Sequence, residues 1–133
     1  MKIKCAKIRE QAKEYIEFLK SRGLTSSWTD PDSQEYQLYE WRYKFGNVNF
    51  WACDLAIGSG PNLEFNPVVY KCNWKKKKNG KLCFYDVQDE YDCSAEYRIK
   101  DFESFKKYVD KVIKIIKTGY VKSKELEIQQ DFV

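Results

Sequence analysis

Between residues 39 and 45 every second position carries an aromatic ring, Tyr39, Trp41, Tyr43 and Phe45, with Glu40, Arg42 and Lys44 in between. Side chains alternate across a strand, so this run gathers its rings on one side only if it is extended, with one apolar face and one wet face. Gly46-Asn47 follows at once. Gly accepts positive φ and Asn tolerates it, as a two-residue hairpin loop demands, so the chain should fold back on itself over Tyr36 to Ile57. That loop sets a register: Phe45 faces Val48, Tyr43 faces Phe50 and Trp41 faces Ala52, with Arg42 opposite Trp51 on the other side. Continued without a break, the pairing places Asp54 opposite Tyr39 on the apolar face and turns Leu55 and Ile57 outward. Two readings remove the conflict: a β-bulge near Cys53-Asp54 that returns Leu55 and Ile57 to the core, or a central strand covered on both faces.

A second hairpin is expected at Asn79-Gly80, both of which tolerate the positive φ of a type I′ turn. It is fed by the alternation Val68, Tyr70, Cys72, Trp74 behind Pro67, where a strand start tolerates the missing donor. A two-residue loop there pairs Trp74 with Tyr85 and Cys72 with Val87 on a mostly apolar face, and Lys75 with Phe84 and Lys77 with Leu82 on the other. Tyr91 to Tyr97 reads as a short fifth strand.

Two helical stripes flank this β region. Cys5, Ile8, Ala12, Tyr15, Ile16 and Leu19 predict a helix over about residues 4 to 22. Gly23 suits the left-handed position just past its end. Phe102, Phe105, Val109, Val112, Ile113 and Ile116 repeat the spacing, with Asp101 placed to cap the first turn and Glu103 favourable at the positive end of the dipole. Gly119 is expected to stop this helix, leaving residues 119–133 as a charged segment, a short helix or an extended tail, whose Leu126, Ile128 and Phe132 suggest that it docks. The fold expected is a single α+β domain over residues 1–133, an antiparallel sheet of four to five strands with both helices on one face.

Little in the chain points to chemistry. Its 133 residues contain no histidine, which excludes Ser-His, Cys-His and two-His metal mechanisms. The five cysteines form no CxxC pair, so no zinc site is expected and most should be small buried hydrophobes; Cys72 beside Lys71 is the only cheap thiolate candidate. Asp86, Asp89, Glu90 and Asp92 match no calcium loop and read as a solvated turn. The loop 58–62 lacks the helix or Gly-Lys-Ser/Thr sequence of a phosphate cradle. Leu24 to Ser33 has the composition of a loop, with Trp28 either tucked over a core edge or contacting a partner. No apolar run reaches signal or membrane-spanning length, so a cytoplasmic protein with reduced thiols, no cofactor and no enzymatic activity is expected.

Binding is the function left. Aromatic residues make up 17% of the chain, enough for a thick core, a sticky surface or both. The net charge is only +4, but Lys71, Lys75, Lys76, Lys77, Lys78 and Lys81 crowd one turn and acidic residues follow directly, giving a dipolar surface. The leading expectation is a protein-protein interaction module, with self-association as one form of it, using Trp51, Trp74 and Phe84 together with Lys75, Lys76, Lys77, Lys78 and Lys81; Trp51 and Phe84 are expected on the open face of the sheet. The alternative is a nucleic-acid-binding domain that uses the lysine-rich hairpin 71–81.

The order helix, antiparallel strands, helix resembles the double-stranded RNA-binding domain in outline only. That family has three strands and opens its second helix with a lysine cluster, whereas Lys106 and Lys107 sit inside the stretch Asp101 to Ile116, so the resemblance assigns no residue a role. In its small size, amino-acid usage and lack of enzyme motifs the chain also resembles small phage or mobile-element proteins that inhibit a host factor.

Overall fold

A computed structural model describes residues 2–26, 37–57, 64–85 and 96–131. Trp28, the loop 58–62, the acidic residues 86–92, most of the expected strand over Tyr91 to Tyr97, Val87, Phe132 and the side chains of Cys5 and Ile57 lie outside the described residues.

The order is α1 (Lys2–Ser21), β1 (Leu24–Thr25), β2 (Gln37–Phe45), β3 (Val48–Ile57), β4 (Phe65–Val69), β5 (Asn73–Lys76), β6 (Leu82–Tyr85) and α2 (Phe102–Asp131). β1 to β4 form an antiparallel sheet in sequence order, and β5 and β6 form a separate two-stranded ribbon. The α+β class read from the sequence is therefore the observed one.

α1 buries Ala12, Tyr15, Ile16, Phe18 and Leu19 and ends as its sequence predicts. Gly23 adopts φ 84° and its amide donates to the Lys20 carbonyl at 3.0 Å, closing the last turn. Where only a loop was expected, Leu24 and Thr25 then add a short edge strand opposite Tyr43 and Arg42.

Gly46 and Asn47 have φ of 58° and 66°, the two positive values of a type I′ turn. Pairing runs as expected from Phe45–Val48 to Arg42–Trp51, then shifts between Trp41 and Arg42. Trp41 faces Cys53 instead of Ala52, Glu40 faces Asp54 and Tyr39 faces Leu55. Ala52 is thus the extra residue of a β-bulge, one position ahead of the expected Cys53-Asp54. Both sequence readings hold in part. The bulge turns Leu55 into the core, and residues 52 to 56 are also buried throughout, so this half of β3 is covered on both faces.

The second hairpin departs from its expected register by one residue: Trp74 faces Phe84, Lys75 faces Cys83 and Lys76 faces Leu82. The cause lies in the loop. The Gly80 amide donates to the Lys77 carbonyl at 2.9 Å and the Lys77 amide to the Lys81 carbonyl at 2.7 Å, so three residues, 78–80, make the connection. Only Gly80 takes a positive φ, 86°, while the Asn79 side chain accepts the Lys81 amide at 3.0 Å. With side chains alternating at period two, the slip reverses every face. Phe84 therefore joins Trp74 against α2 and Phe50 rather than standing among lysines on an open face, which corrects its expected placement.

Asp101 caps α2 as predicted: its carboxylate accepts the Ser104 amide at 2.7 Å, and the Ser104 hydroxyl oxygen accepts the Asp101 amide at 3.1 Å. The helix does not stop at Gly119 but continues to Asp131. Gly119 serves as a notch, because a Cβ there would overlap the Trp74 indole ring, whose N–H donates to the Ile115 carbonyl at 3.0 Å. Beyond the notch, the Tyr120 hydroxyl donates to the Gly46 carbonyl at 3.1 Å and the Ser123 hydroxyl to the Leu82 carbonyl at 3.4 Å. The charged C-terminal segment thus docks on its own domain as helix.

Both helices lie on the same side of the four-stranded sheet. One core joins Tyr15 and Leu19 of α1 to Trp41, Phe50, Leu55 and Val69 of the sheet and to Phe105, Val109, Val112 and Ile116 of α2. Tyr15 is its hinge, with ring centroids 4.6 Å from Phe105 and 5.0 Å from Phe65.

Gly119→Ala tests the notch. Elsewhere inside a helix this change stabilises by about 1 kcal/mol; here it should destabilise by about 1–3 kcal/mol through overpacking, read as a lower denaturant midpoint. In a Trp74→Leu background the same substitution should become neutral or stabilising.

Candidate functional site

Three of the aromatic candidates meet at one groove of about 390 Å³. Val48, Asn49, Phe50 and Trp51 of β3 form one wall, Trp74, Leu82, Cys83 and Phe84 of the β5–β6 ribbon the other, and Tyr120, Ser123 and Lys124 of α2 close an end, with Arg42 on the rim. Phe50, Trp74 and Phe84 make the apolar floor, with centroids 5.1 to 5.8 Å apart in edge-on or tilted contacts. Trp74 is held from behind by Gly119, so it anchors the ribbon to α2 and presents only part of its ring.

The β3 wall is a strand edge. β4 pairs with β3 only from Cys53 to Ile57, so residues 48 to 52 have a ladder on the β2 side alone among the described residues. In a type I′ hairpin the pair closing the loop, Phe45–Val48, exchanges both hydrogen bonds, and hydrogen-bonded pairs then alternate with non-bonded ones. Asn49 and Trp51 occupy the non-bonded positions, so their N–H and C=O groups point away from β2, toward the groove. Val48 remains 43% exposed at its mouth.

Trp51 also reaches over the outer face of the sheet, as expected. Its indole N–H donates to Asp54 Oδ1 at 2.6 Å, the Tyr70 hydroxyl donates to Asp54 Oδ2 at 2.6 Å, and the two rings meet edge-on at 5.7 Å. Asp54 is 0% exposed. Burial pushes its carboxyl up to about 6, against the opposing effect of the two hydrogen bonds, with Glu40 and Glu96 adding to the rise. A carboxyl closed from solvent with both oxygens engaged is built to hold Trp51 in place rather than to exchange protons with a substrate.

Lys75, Lys76, Lys77, Lys78 and Lys81 are exposed along β5 and its turn, outside the groove wall. The groove's own cations are Arg42, paired with Glu40 at 2.7 Å, and Lys124, paired with Glu127 at 3.2 Å. Cys53 and Cys83 are free thiols; burial, with Asp54 beside it, pushes the Cys53 thiol up, and Cys72 is buried too. Among the described residues no three Cys, Asp or Glu side chains cluster as metal ligands, and no helix is long and apolar enough to cross a membrane. Asn49, Tyr120 and Lys124 were not foreseen as site residues. Their roles follow from α2 continuing past Gly119 and from β4 stopping short, neither of which has a local sequence signal.

No known protein family, curated protein or solved structure matches the chain.

Asp54 predicts a pH dependence. A carboxyl raised in the folded state binds more protons there than in the unfolded chain, so its contribution to stability is fully present below its ordinary value near 4 and is lost as pH rises through about 6. Asp54→Asn keeps an acceptor for Trp51 or Tyr70 but cannot ionise. Urea unfolding at closely spaced pH should therefore show wild type losing stability relative to Asp54→Asn between about pH 4 and 6, with no further divergence above about pH 7.

Proposed function

We propose that the protein is a non-enzymatic protein-binding module that takes an extended segment of a partner protein along the outer edge of β3. The observation carrying this reading is the edge at Asn49 and Trp51, unpaired among the described residues, which opens onto an apolar floor of Phe50, Trp74 and Phe84. Strand addition uses both parts: main-chain hydrogen bonds supply affinity, and the floor receives every second side chain of the added strand. The partner segment should alternate apolar residues with acidic ones. Arg42 and Lys124 stand on the rim, and the exposed lysines at 75–78 and 81 add a positive field that speeds encounter with an acidic partner.

The register of the second hairpin weakens the competing nucleic-acid reading of residues 71–81. Two rings of that hairpin, Trp74 and Phe84, are engaged with Phe50 and α2 rather than open to stack on bases.

Peptide display against the immobilised protein tests the proposal. Alternating apolar and acidic sequences should be enriched and should shift the amide resonances of residues 48–52. Asn49→Pro removes one outward donor at a strand edge, where proline is tolerated, and should weaken the selected peptides at least tenfold while leaving the circular dichroism spectrum unchanged. Binding that survives Asn49→Pro, or shifts elsewhere, would refute strand addition. Concentration-dependent dimerisation abolished by the same substitution would instead give the edge to a second copy of the chain.

A further inference from the structure

We infer that the outer face of the first half of α2, with Tyr97 beside it, binds single-stranded nucleic acid, independently of the β3 groove. Lys107, Lys111 and Lys114 follow one another at spacings of four and three, on the exposed side of the helix opposite Phe105, Val109, Val112 and Ile116. The acidic residue among them is Asp110, which Arg22 neutralises at 2.8 Å. Glu103, one turn earlier, is likewise engaged by Lys106 at 2.8 Å, so the three lysines dominate the charge of this face, which lies away from the core side where α2 meets the sheet.

The second observation is a ring pair at one end of this face. Tyr97 and Tyr108 stack with centroids 4.3 Å apart and planes 10° from parallel. Lys71 and Lys111 place their ammonium groups 5.7 and 5.4 Å from the Tyr97 centroid, and Lys107 lies 5.9 Å from that of Tyr108. Both rings are half-buried and so keep some surface in solvent. Cation–π contacts hold the three ammonium groups around the stack without neutralising them. An unpaired base can extend the stack where an ammonium group yields one outer ring face, and the ammonium groups then meet the phosphates on either side. A duplex cannot do this because its bases already stack on one another; an acidic protein segment could use the lysines, but its carboxylates cannot stack on the rings. From Lys107 to Lys114 the helix rises about 10 Å, the reach of roughly three stacked nucleotides at about 3.4 Å each.

Fluorescence anisotropy with labelled dT20 and U20 oligonucleotides, titrated with KCl from 50 mM, is the test. Four contacts, from Lys71, Lys107, Lys111 and Lys114, give an expected slope of log affinity against log salt of about −2.8. Lys107→Gln/Lys111→Gln/Lys114→Gln should flatten that slope by about 2. Tyr108→Leu should weaken binding roughly tenfold at unchanged slope, and Tyr108→Phe should retain it; the conservative variant controls for loss of folding. Lys76→Gln/Lys78→Gln on the hairpin turn should leave the slope nearly as it was. The inference is overturned if wild type shows no salt-dependent binding, if the hairpin pair costs as much as the helix triple, or if polyglutamate competes as well as the oligonucleotide, which would mark a surface for acidic protein. The Asn49→Pro variant should bind the oligonucleotides like wild type, so either proposal can fail alone.

Discussion

At Ala52 the strands of the first hairpin fall out of step by one residue, and most of what surrounds β3 follows from that offset. Ahead of it Phe50 faces the helices and Trp51 the outer side; behind it Leu55 faces the helices while Asp54 turns outward. Without the offset an aspartate would lie among Trp41, Tyr15 and Phe105, at a cost of several kcal/mol for a buried unpaired charge. With it, the same carboxyl ends beneath Trp51 and Tyr70, each donating one hydrogen bond. β3 also divides at this point: behind Ala52 it pairs with both neighbours, and among the described residues the part ahead pairs with β2 alone.

How far the sequence disclosed this depends on how local each determinant is. The Gly46-Asn47 turn, the Gly23 helix end and the Asp101 cap were legible because each is decided within four or five residues. The conflict at Asp54 was legible too, since a period-two pattern cannot hold a carboxylate on the apolar face. Its resolution at Ala52 was not, because any residue between Trp51 and Asp54 could have absorbed the extra step. Asn79-Gly80 shows the limit most sharply. Asn can supply either a positive φ or a side-chain acceptor, and the two uses differ by one residue of loop and hence by every face of the strands. What favours the longer loop is tertiary: it puts Trp74 and Phe84 on the same side, where Phe50 and α2 can receive both.

Gly119 is a related case. By propensity a glycine after a long apolar stripe ends a helix, and the stripe before it was complete. The helix continues because residues beyond the glycine gain contacts with both hairpins through Tyr120 and Ser123, and because the missing side chain admits Trp74. That contact joins elements more than forty residues apart in the chain, so no local window contains it. The candidate residues fared accordingly. Trp51, Trp74 and Phe84 do converge at one groove, with Trp51 on the outer sheet face as expected and Phe84 turned against Phe50 and Trp74 instead, and the lysines expected to join them stand apart.

Lysines are spread along this chain, and their number at any one place says little about what they touch. What separates the hairpin turn from α2 is the company of rings. On the ribbon Trp74 and Phe84 are drawn inward by the core, while Lys76, Lys77, Lys78 and Lys81 stay exposed. On α2 the helical period leaves Tyr108 at the border between buried and exposed faces, where Tyr97 reaches it from the segment before the cap and three lysines gather around the pair. Ammonium groups already resting against a preformed π-surface have less rotamer freedom to lose on binding than exposed lysines that lie against no ring. On that ground the helix, with fewer adjacent lysines than the turn, is the better-organised surface for a polyanion.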